Sequence, residues 1–437
     1  MPERFDAVVV GAGPAGAAAA LVLARSGKSV CMLERGPFPG SKNMYGGVIY
    51  GRILDTLIPR WWEQVPVQRW VTRRETRIMT PTRSLTVGCS SKAWGEPPYN
   101  GMTALRPDFD RWFADQAVAA GAVLVTSTVA TGVTRQGGRA GGRVTGVRTD
   151  RLGGDLAAGV VIACDGVNSF LAKEAGLYRR ADPDHFTLGV KEVLAMPAAE
   201  IERRFNVSGR EGVDIEVLGA TSGVPGGGFV YTNLDTIAVG LVLQLTGLAS
   251  AKVRPEELIA EFKSHPDIAP LVARTELKEY SAHLIPEGGY NSMPRLAGDG
   301  LLVAGDAAGM TLATGVWLEG VNFAVGSGAA AGTTACQALD RGDVSAAGLA
   351  GYRRRLERTF VLKNHKKLRR VPALLLTDRV QHRYAPMVCD VAEGLFTVTD
   401  PAPKPGLFRL VRAAAKQNGV RMADLARDGW ATVRSIG

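Results

Sequence analysis

At 437 residues, with 46% hydrophobic and 22% charged content, the chain has the composition of a globular protein with ample core for about two to three domains. Its five cysteines (Cys31, Cys89, Cys164, Cys336 and Cys389) lie far apart and form no C-x-x-C, which excludes a zinc ribbon or a four-cysteine iron–sulfur cluster within the chain. The net charge of +10 points to an anionic partner, and nucleic acid is the least supported because no helix-turn-helix, zinc or stacking motif accompanies the charge.

The first segment, Phe5–Arg35, reads as strand, glycine turn, helix, strand and terminal acid. Asp6–Val10 is short and β-branched, as a buried parallel strand should be. Gly11, Gly13 and Gly16 then match G-x-G-x-x-G. In that motif the first glycine makes the tight turn, the second admits a pyrophosphate to the backbone, and the third lets helix and strand pack closely. The phosphates are expected at the N-terminus of helix Pro14–Ser26. The second strand, Ser29–Leu33, ends at Glu34, at the distance where an acid takes ribose hydroxyls. The uncharged run Ala7–Ala24 is too short, and too interrupted by Gly-x-Gly-Pro, for a transmembrane helix. Glu3 and Asp6 and the lack of a basic n-region argue against a signal peptide, so reduced thiols and a cytoplasmic location, or the cytoplasmic face of a membrane, are expected.

A glycine-rich loop, GPFPGSKNMYGGVIYG, leads to a predicted helix Arg52–Ile58. Trp61, Trp62 and Trp70 follow among charges, open to reading as core packing or as an interfacial contact. Residues 73–92 alternate like strands. Arg106-Pro107-Asp108 opens a helix with proline in its first turn, and strands are expected at Val123–Val133 and Arg143–Asp150. Gly159–Gly166 repeats the buried-strand-then-glycine pattern around Asp165 and Gly166. From about Phe186 to Tyr290 the pattern is antiparallel, with a helix at Pro255–Ser264. Leu301–Ala304 is a third buried strand ending in Gly305-Asp306, followed by a Gly/Ala-rich helix, roughly Val321–Asp340. The tail from Ala347 reads as helical and basic, with its charge concentrated in YRRRLERTFVLKNHKKLRR (352–370). That run is either a docking face for an acidic protein or anionic lipid, or a solvated helix face. His283 and His365 have no carboxylate or cysteine at metal spacing, and no metal site is expected.

Three glycine-terminated strands in this order resemble the FAD-dependent p-hydroxybenzoate-hydroxylase-like flavoproteins. The resemblance implies FAD as resident cofactor. It places Gly11, Gly13, Ala15 and Gly16 at the pyrophosphate and Glu34 with Arg35 at the adenosine. Arg106 matches the arginine reaching the diphosphate and ribityl region, Val129 the backbone contact to adenine, and Asp306 the acceptor of ribityl hydroxyls. Gly320, Val321 and Asn322 resemble the loop beside the flavin pyrimidine, where helix N-terminal N–H groups favour negative charge. Asn43, Gly46 and Gly47 are expected to cover the isoalloxazine.

A closer resemblance covers roughly residues 4–430. KNMYGGVIYGRILDTLIP, ALRPDFDRWFADQA, DGVNSFLAKEAGL, GVKEVL, GGGFVYTN, SAHLIPEGG and GLLVAGDAAGM resemble the FixC family, related to electron-transfer-flavoprotein:quinone oxidoreductases. This implies electron transfer from reduced electron-transfer flavoprotein through FAD to a quinone. Since the chain has no cysteines spaced for a cluster, it also implies a separate ferredoxin-like iron–sulfur partner. Gly226, Gly227 and Phe229 resemble the quinone-pocket segment; a strand-edge bulge explains the same glycines equally well. The Asp165-Gly-Val-Asn-Ser169 motif lacks the following arginine linked to nicotinamide use in the hydroxylases, since Phe170, Leu171 and Ala172 come next.

The expected architecture is α/β with an α+β insertion. A discontinuous Rossmann-like FAD domain occupies 1–72, 103–175 and 292–345. An antiparallel substrate domain occupies 73–102 and 176–291, and a helical region occupies 346–437. The alternatives are a geranylgeranyl-reductase-like or NAD(P)H-dependent hydroxylase-like flavoenzyme and, outside enzymes, a flavin-bearing assembly subunit.

Overall fold

The computed structural model describes residues 2–43, 47–138, 141–178, 182–315 and 317–436. The first strand, Glu3–Val10, lies between Leu156–Ala163 and Val30–Leu33, parallel to both, with Val8 opposite Val161 and Cys31. A strand paired on both edges and covered on both faces must be apolar throughout, and Ala7–Val10 are all buried. The sheet runs 297–298, 301–303, 156–163, 3–10, 30–33 and 123–125, with hairpin 130–135/144–149 attached to the start of 156–163.

Helix Pro14–Arg25 leaves the glycine turn with proline at its first position and crosses helix Val321–Asp340 at very short range. A Cβ on Gly328 would stand 2.0 Å from the Ala15 carbonyl oxygen, and one on Gly332 2.7 Å from that of Ala19. The Gly/Ala stripe of the second helix is therefore an interhelix contact, which seats the glycine turn against the late Gly-Asp turn.

Among the described residues the second sheet has nine strands. In order these are Glu276–Pro286, Phe186–Ala195, Thr236–Gln244, Gly226–Thr232, Glu211–Gly219, Arg69–Met79, Met102–Ala104 and Gly47–Ile49, with Ser84–Ser90 on the edge of Arg69–Met79. One face is apolar: Val190, Ile215, Val230, Val239 and Leu241 pack beneath helices Ala198–Phe205 and Pro255–Ser264 through Ile201, Phe205, Leu258 and Phe262. The other face looks toward the first sheet. The chain enters this sheet earlier than residue 73, because Gly47–Ile49 and the start of Arg69–Met79 already belong to it. Arg69 explains the early entry. Its side chain is fully buried and its guanidinium donates to the Gly209, Glu211 and Asn233 carbonyls, locking the strand start to its neighbours.

The predicted helix at 52–58 is a 3-10 turn, Gly51–Thr56, and Trp61 packs on Gly51, whose Cβ would meet its ring at 2.3 Å. Trp61 and Trp70 are buried and lie edge to face, so those two tryptophans are core. The tail folds as short helices, among them Gly351–Arg358, Phe360–Lys367 and Val371–Leu375, followed by Ala385–Phe396, Leu407–Gln417 and Met422–Ile436. His365 is a core histidine, its ring held by the Val361 and Thr311 carbonyls. Among the described residues no helix is long and apolar enough to cross a membrane.

Candidate functional site

A cleft of about 400 Å³, within the range of cofactor sites, runs between the two sheets. The elements that line it are those that carried the sequence motifs. Gly11, Gly13 and Ala15 form one end, with Glu34 and Arg35 beside them. Asn43, Gly47, Arg106, Val129, Asp165, Gly166, Asp306, Gly320 and Val321 line the remainder, together with Phe229 from the second sheet. Gly46 lies outside the described residues.

The three motif glycines divide by geometry. Gly11 has φ +97°, and a Cβ there would fall 2.3 Å from the Cys164 carbonyl oxygen, where the first and central glycine strands meet. Gly16 is closed by its own turn, since a Cβ would stand 1.8 Å from the Gly11 oxygen. At Gly13 a Cβ would meet nothing within 4 Å. Among the described residues no neighbour requires glycine there, which leaves room for a group cradled by the turn. Gly305 serves the frame rather than the cleft: its φ is +66° and its N–H donates to the Ser327 hydroxyl at 3.0 Å.

Glu34 is buried at the end of its strand. Its Oε2 accepts from the Ala12 N–H at 3.2 Å and its Oε1 from the Gly36 N–H at 2.7 Å. Burial pushes this carboxyl up, against the pull of those two amides. Both oxygens keep acceptor capacity for ligand hydroxyls. Val129 is engaged at both main-chain groups: its N–H donates to Asp150 Oδ1 at 2.9 Å and its carbonyl accepts from the Asp150 N–H at 3.0 Å. A base reading the Val129 amide would have to displace that exposed carboxylate.

Arg106 sits at the start of helix Arg106–Ala119 and is clamped by Asp110 one turn on, Nε to Oδ1 at 2.8 Å and Nη2 to Oδ2 at 2.9 Å. Asn43 Nδ2 donates to the same carboxylate at 2.6 Å, so the loop before the second sheet is tied to this pair. Asp306 faces Arg106. Burial raises its carboxyl, opposed by Arg106 and His283. Asp165 accepts from the Leu171 N–H, and among the described residues its buried Oδ1 has no partner. Asn322, just behind the lining at the head of helix Val321–Asp340, likewise holds a buried Oδ1 without a partner.

Sequence reasoning missed several lining residues. Lys191 is almost fully buried in strand Phe186–Ala195. Burial, with Arg106 nearby, lowers its amine to about 7, and Glu279 pulls the other way. His283, given no role from sequence, reaches the cleft opposite Gly189 in the sheet. Tyr231, Glu287 and Glu319 also line it. The available signal was a lysine within the apolar strand GVKEVL. Gly226 and Gly227 line a second, largely apolar cavity rather than the cleft itself. Its walls include Leu218, Leu318, Pro372, Leu375 and Gln381, and it shares Val242, Glu287 and Leu318 with the cleft. Gln381 latches the tail there, accepting from the Gly226 N–H at 2.9 Å and donating to the Leu375 carbonyl at 2.7 Å.

The match to known proteins follows this layout. Residues 6–204 match the FAD dependent oxidoreductase family model. The chain is 39% identical to the probable electron transfer flavoprotein-quinone oxidoreductase YdiS of Escherichia coli (strain K12), over 98% of each chain. It is 39% identical to protein FixC of Salmonella typhi over 98% of each, and 42% identical to protein FixC of Bradyrhizobium diazoefficiens over 86% of each. The chain belongs to the FixC family of FAD-dependent oxidoreductases. Its fold is shared with a geranylgeranyl bacteriochlorophyll reductase-like protein from Thermoplasma acidophilum (TM-score 0.73, 20% identity, 96% and 97% of the two chains). The site fits the cofactor of this FixC-family enzyme. The open cradle at Gly13 has room that a diphosphate would fill, and the Asp165 and Asn322 oxygens, unpartnered among the described residues, could accept from a polar ring edge.

Proposed function

We propose that this FixC-family protein passes electrons from a reduced electron-transfer flavoprotein to a quinone. The observation that carries the reading is the second cavity. Its floor includes the backbone of Gly226-Gly227-Gly228, close-packed so that a Cβ there would meet Val242 O, Val217 O or the Phe262 ring, its lining is largely apolar, and it shares Val242, Glu287 and Leu318 with the cofactor cleft. A flat apolar ring can lie on such a floor and reach the cleft. Bound FAD supplies the redox chemistry. The chain's own residues bind and orient it. Gly11, Gly13, Ala15 and Arg106 are proposed for the diphosphate, Glu34 and Arg35 for the adenosine ribose, and Asp306 for the ribityl hydroxyls. Gly320, Val321 and Asn322 are proposed for the pyrimidine edge. Phe229, stacked on Tyr231 at 4.7 Å, stands as an aromatic wall on the second-sheet side.

An iron–sulfur cluster, where one takes part, would come from a separate ferredoxin-like partner. The basic helices Gly351–Arg358 and Phe360–Lys367 offer it, or the flavoprotein, a cationic face. The names of the relatives support donor and acceptor.

The test is an anaerobic reduction followed by the flavin absorbance. NADPH should leave the flavin oxidised, reduced electron-transfer flavoprotein should bleach it, and a quinone analogue should restore the colour. Rapid bleaching by NADPH alone would replace this reading with the hydroxylase or reductase one. Separately, Asp306→Ala should lower the flavin content of the purified protein several-fold. A flavin-to-protein ratio equal to wild type would remove Asp306 from the ribityl role.

A further inference from the structure

On the cleft-facing side of the second sheet, Asp214 and Glu216 stand at i and i+2 of strand Glu211–Gly219, facing one guanidinium. Arg74 Nε meets Asp214 at 2.9 Å, and Arg74 Nη2 reaches Glu216 Oε1 at the longer distance of 3.3 Å. Glu216 is 4% exposed and lines the second cavity, and among the described residues its Oε2 makes no side-chain hydrogen bond. The same cavity holds another carboxyl, Glu287, just past strand Glu276–Pro286 and beside Thr187. Three strands lie between the strands that carry the two acids, and the floor between them includes the glycine run and Val242. An apolar cavity with a carboxyl from each of two walls is an unusual place to leave acids, because ionised carboxylates there lose most of their hydration.

Resting on the quinone reading above, we propose that Glu216 and Glu287 are the proton donors for the acceptor, one to each quinone oxygen. Two electrons pass to the quinone from the reduced flavin. As they arrive, each carboxyl O–H bond breaks and an O–H bond forms on a quinone oxygen, which leaves a neutral quinol. The two carboxylates regain their protons from water, into which the protons shed on flavin oxidation also pass. The electrostatics support protonated acids at rest. Burial and then Asp214 raise Glu216 to about 8 against the pull of Arg74 and of the Leu318 N–H, with Tyr50, Tyr231 and Glu319 as the other titratable groups around the pair. Burial raises Glu287 to about 7, opposed by the Thr187 hydroxyl. One arginine cannot neutralise two buried carboxylates, so the more weakly bonded acid keeps its proton.

The experiment uses the flavin-loaded protein, chemically reduced and mixed with either a short-chain quinone or ferricenium, a one-electron acceptor that takes no proton. Glu216→Gln and Glu287→Gln should each lower the ratio of the quinone rate to the ferricenium rate at least tenfold. In the wild type that ratio should fall as the pH rises through 7 to 8, as the acids lose their protons. Infrared difference spectra between pH 6 and pH 10 should show a carboxylic-acid band that each substitution diminishes, a readout independent of turnover. Unchanged ratios and pH profile in both variants, with a wild type that quinone reoxidises, would overturn the proton donors alone. A wild type that quinone leaves reduced would overturn the acceptor reading and this proposal with it.

Discussion

Gly16→Ala should cost the protein both its flavin and its stability, whereas Gly13→Ala should cost it the flavin alone. At position 16 the added methyl would sit 1.8 Å from the Gly11 carbonyl oxygen and 3.2 Å from Val9 Cγ1. Neither neighbour can retreat, since Gly11 is itself wedged against Cys164 in the next strand and Val9 is in the core. Overpacking of this kind costs about 1–3 kcal/mol, here at the turn that shapes the phosphate cradle. At position 13 the methyl meets no atom of the described residues within 4 Å. Flavin-free Gly13→Ala should therefore melt with the flavin-free wild type while retaining at least tenfold less flavin, roughly 1.4 kcal/mol of binding. Calorimetry of the flavin-free proteins and flavin absorbance per chain separate the two effects. Equal melting of all three proteins would contradict the close-packing account of Gly16.

Arg106→Ala carries the second large effect. The substitution would strip Asp110, whose side chain is fully buried, of both guanidinium bonds, leaving it, among the described residues, the Asn43 amide. Breaking a buried pair by removing one partner costs about 3–5 kcal/mol, because the remaining charge stays desolvated. The loss should show in urea unfolding of the flavin-free protein, before any question of cofactor contact arises. The double variant Arg106→Ala/Asp110→Asn should regain much of that stability without regaining flavin, since only the buried charge has been relieved. A double variant as unstable as the single one would mean that packing of the arginine stem, not the orphaned carboxylate, sets the cost.

These contrasts mark what the sequence could disclose. Gly11, Gly13 and Gly16 were legible because their motif is local, and strand, turn and helix are consecutive in the chain. Helices Pro255–Ser264 and Val321–Asp340 were legible from periodicity and composition, with matching ends. Asp214 and Glu216 were not. Acids at i and i+2 of a strand read as its solvent face, and here Arg74, Tyr50 and residues 318–319, all distant in sequence, surround them. Lys191 and His283 were hidden for the same reason: which side of strands Phe186–Ala195 and Glu276–Pro286 faces the cofactor depends on a pairing between segments some ninety residues apart. The boundary near residue 72 slipped because Arg69, a charged residue in sequence, is a fully buried clamp in the fold.

The Gln381 latch has an evolutionary consequence. One wall of the second cavity, Pro372 to Gln381, is contributed by chain that follows the last strand and helix of the cofactor frame, and no residue of that stretch lines the cofactor cleft. Inheritance can therefore treat the two chambers separately. Insertions, deletions or substitutions in this stretch would reshape the second cavity without altering a residue that lines the cofactor cleft, so the two chambers can change independently.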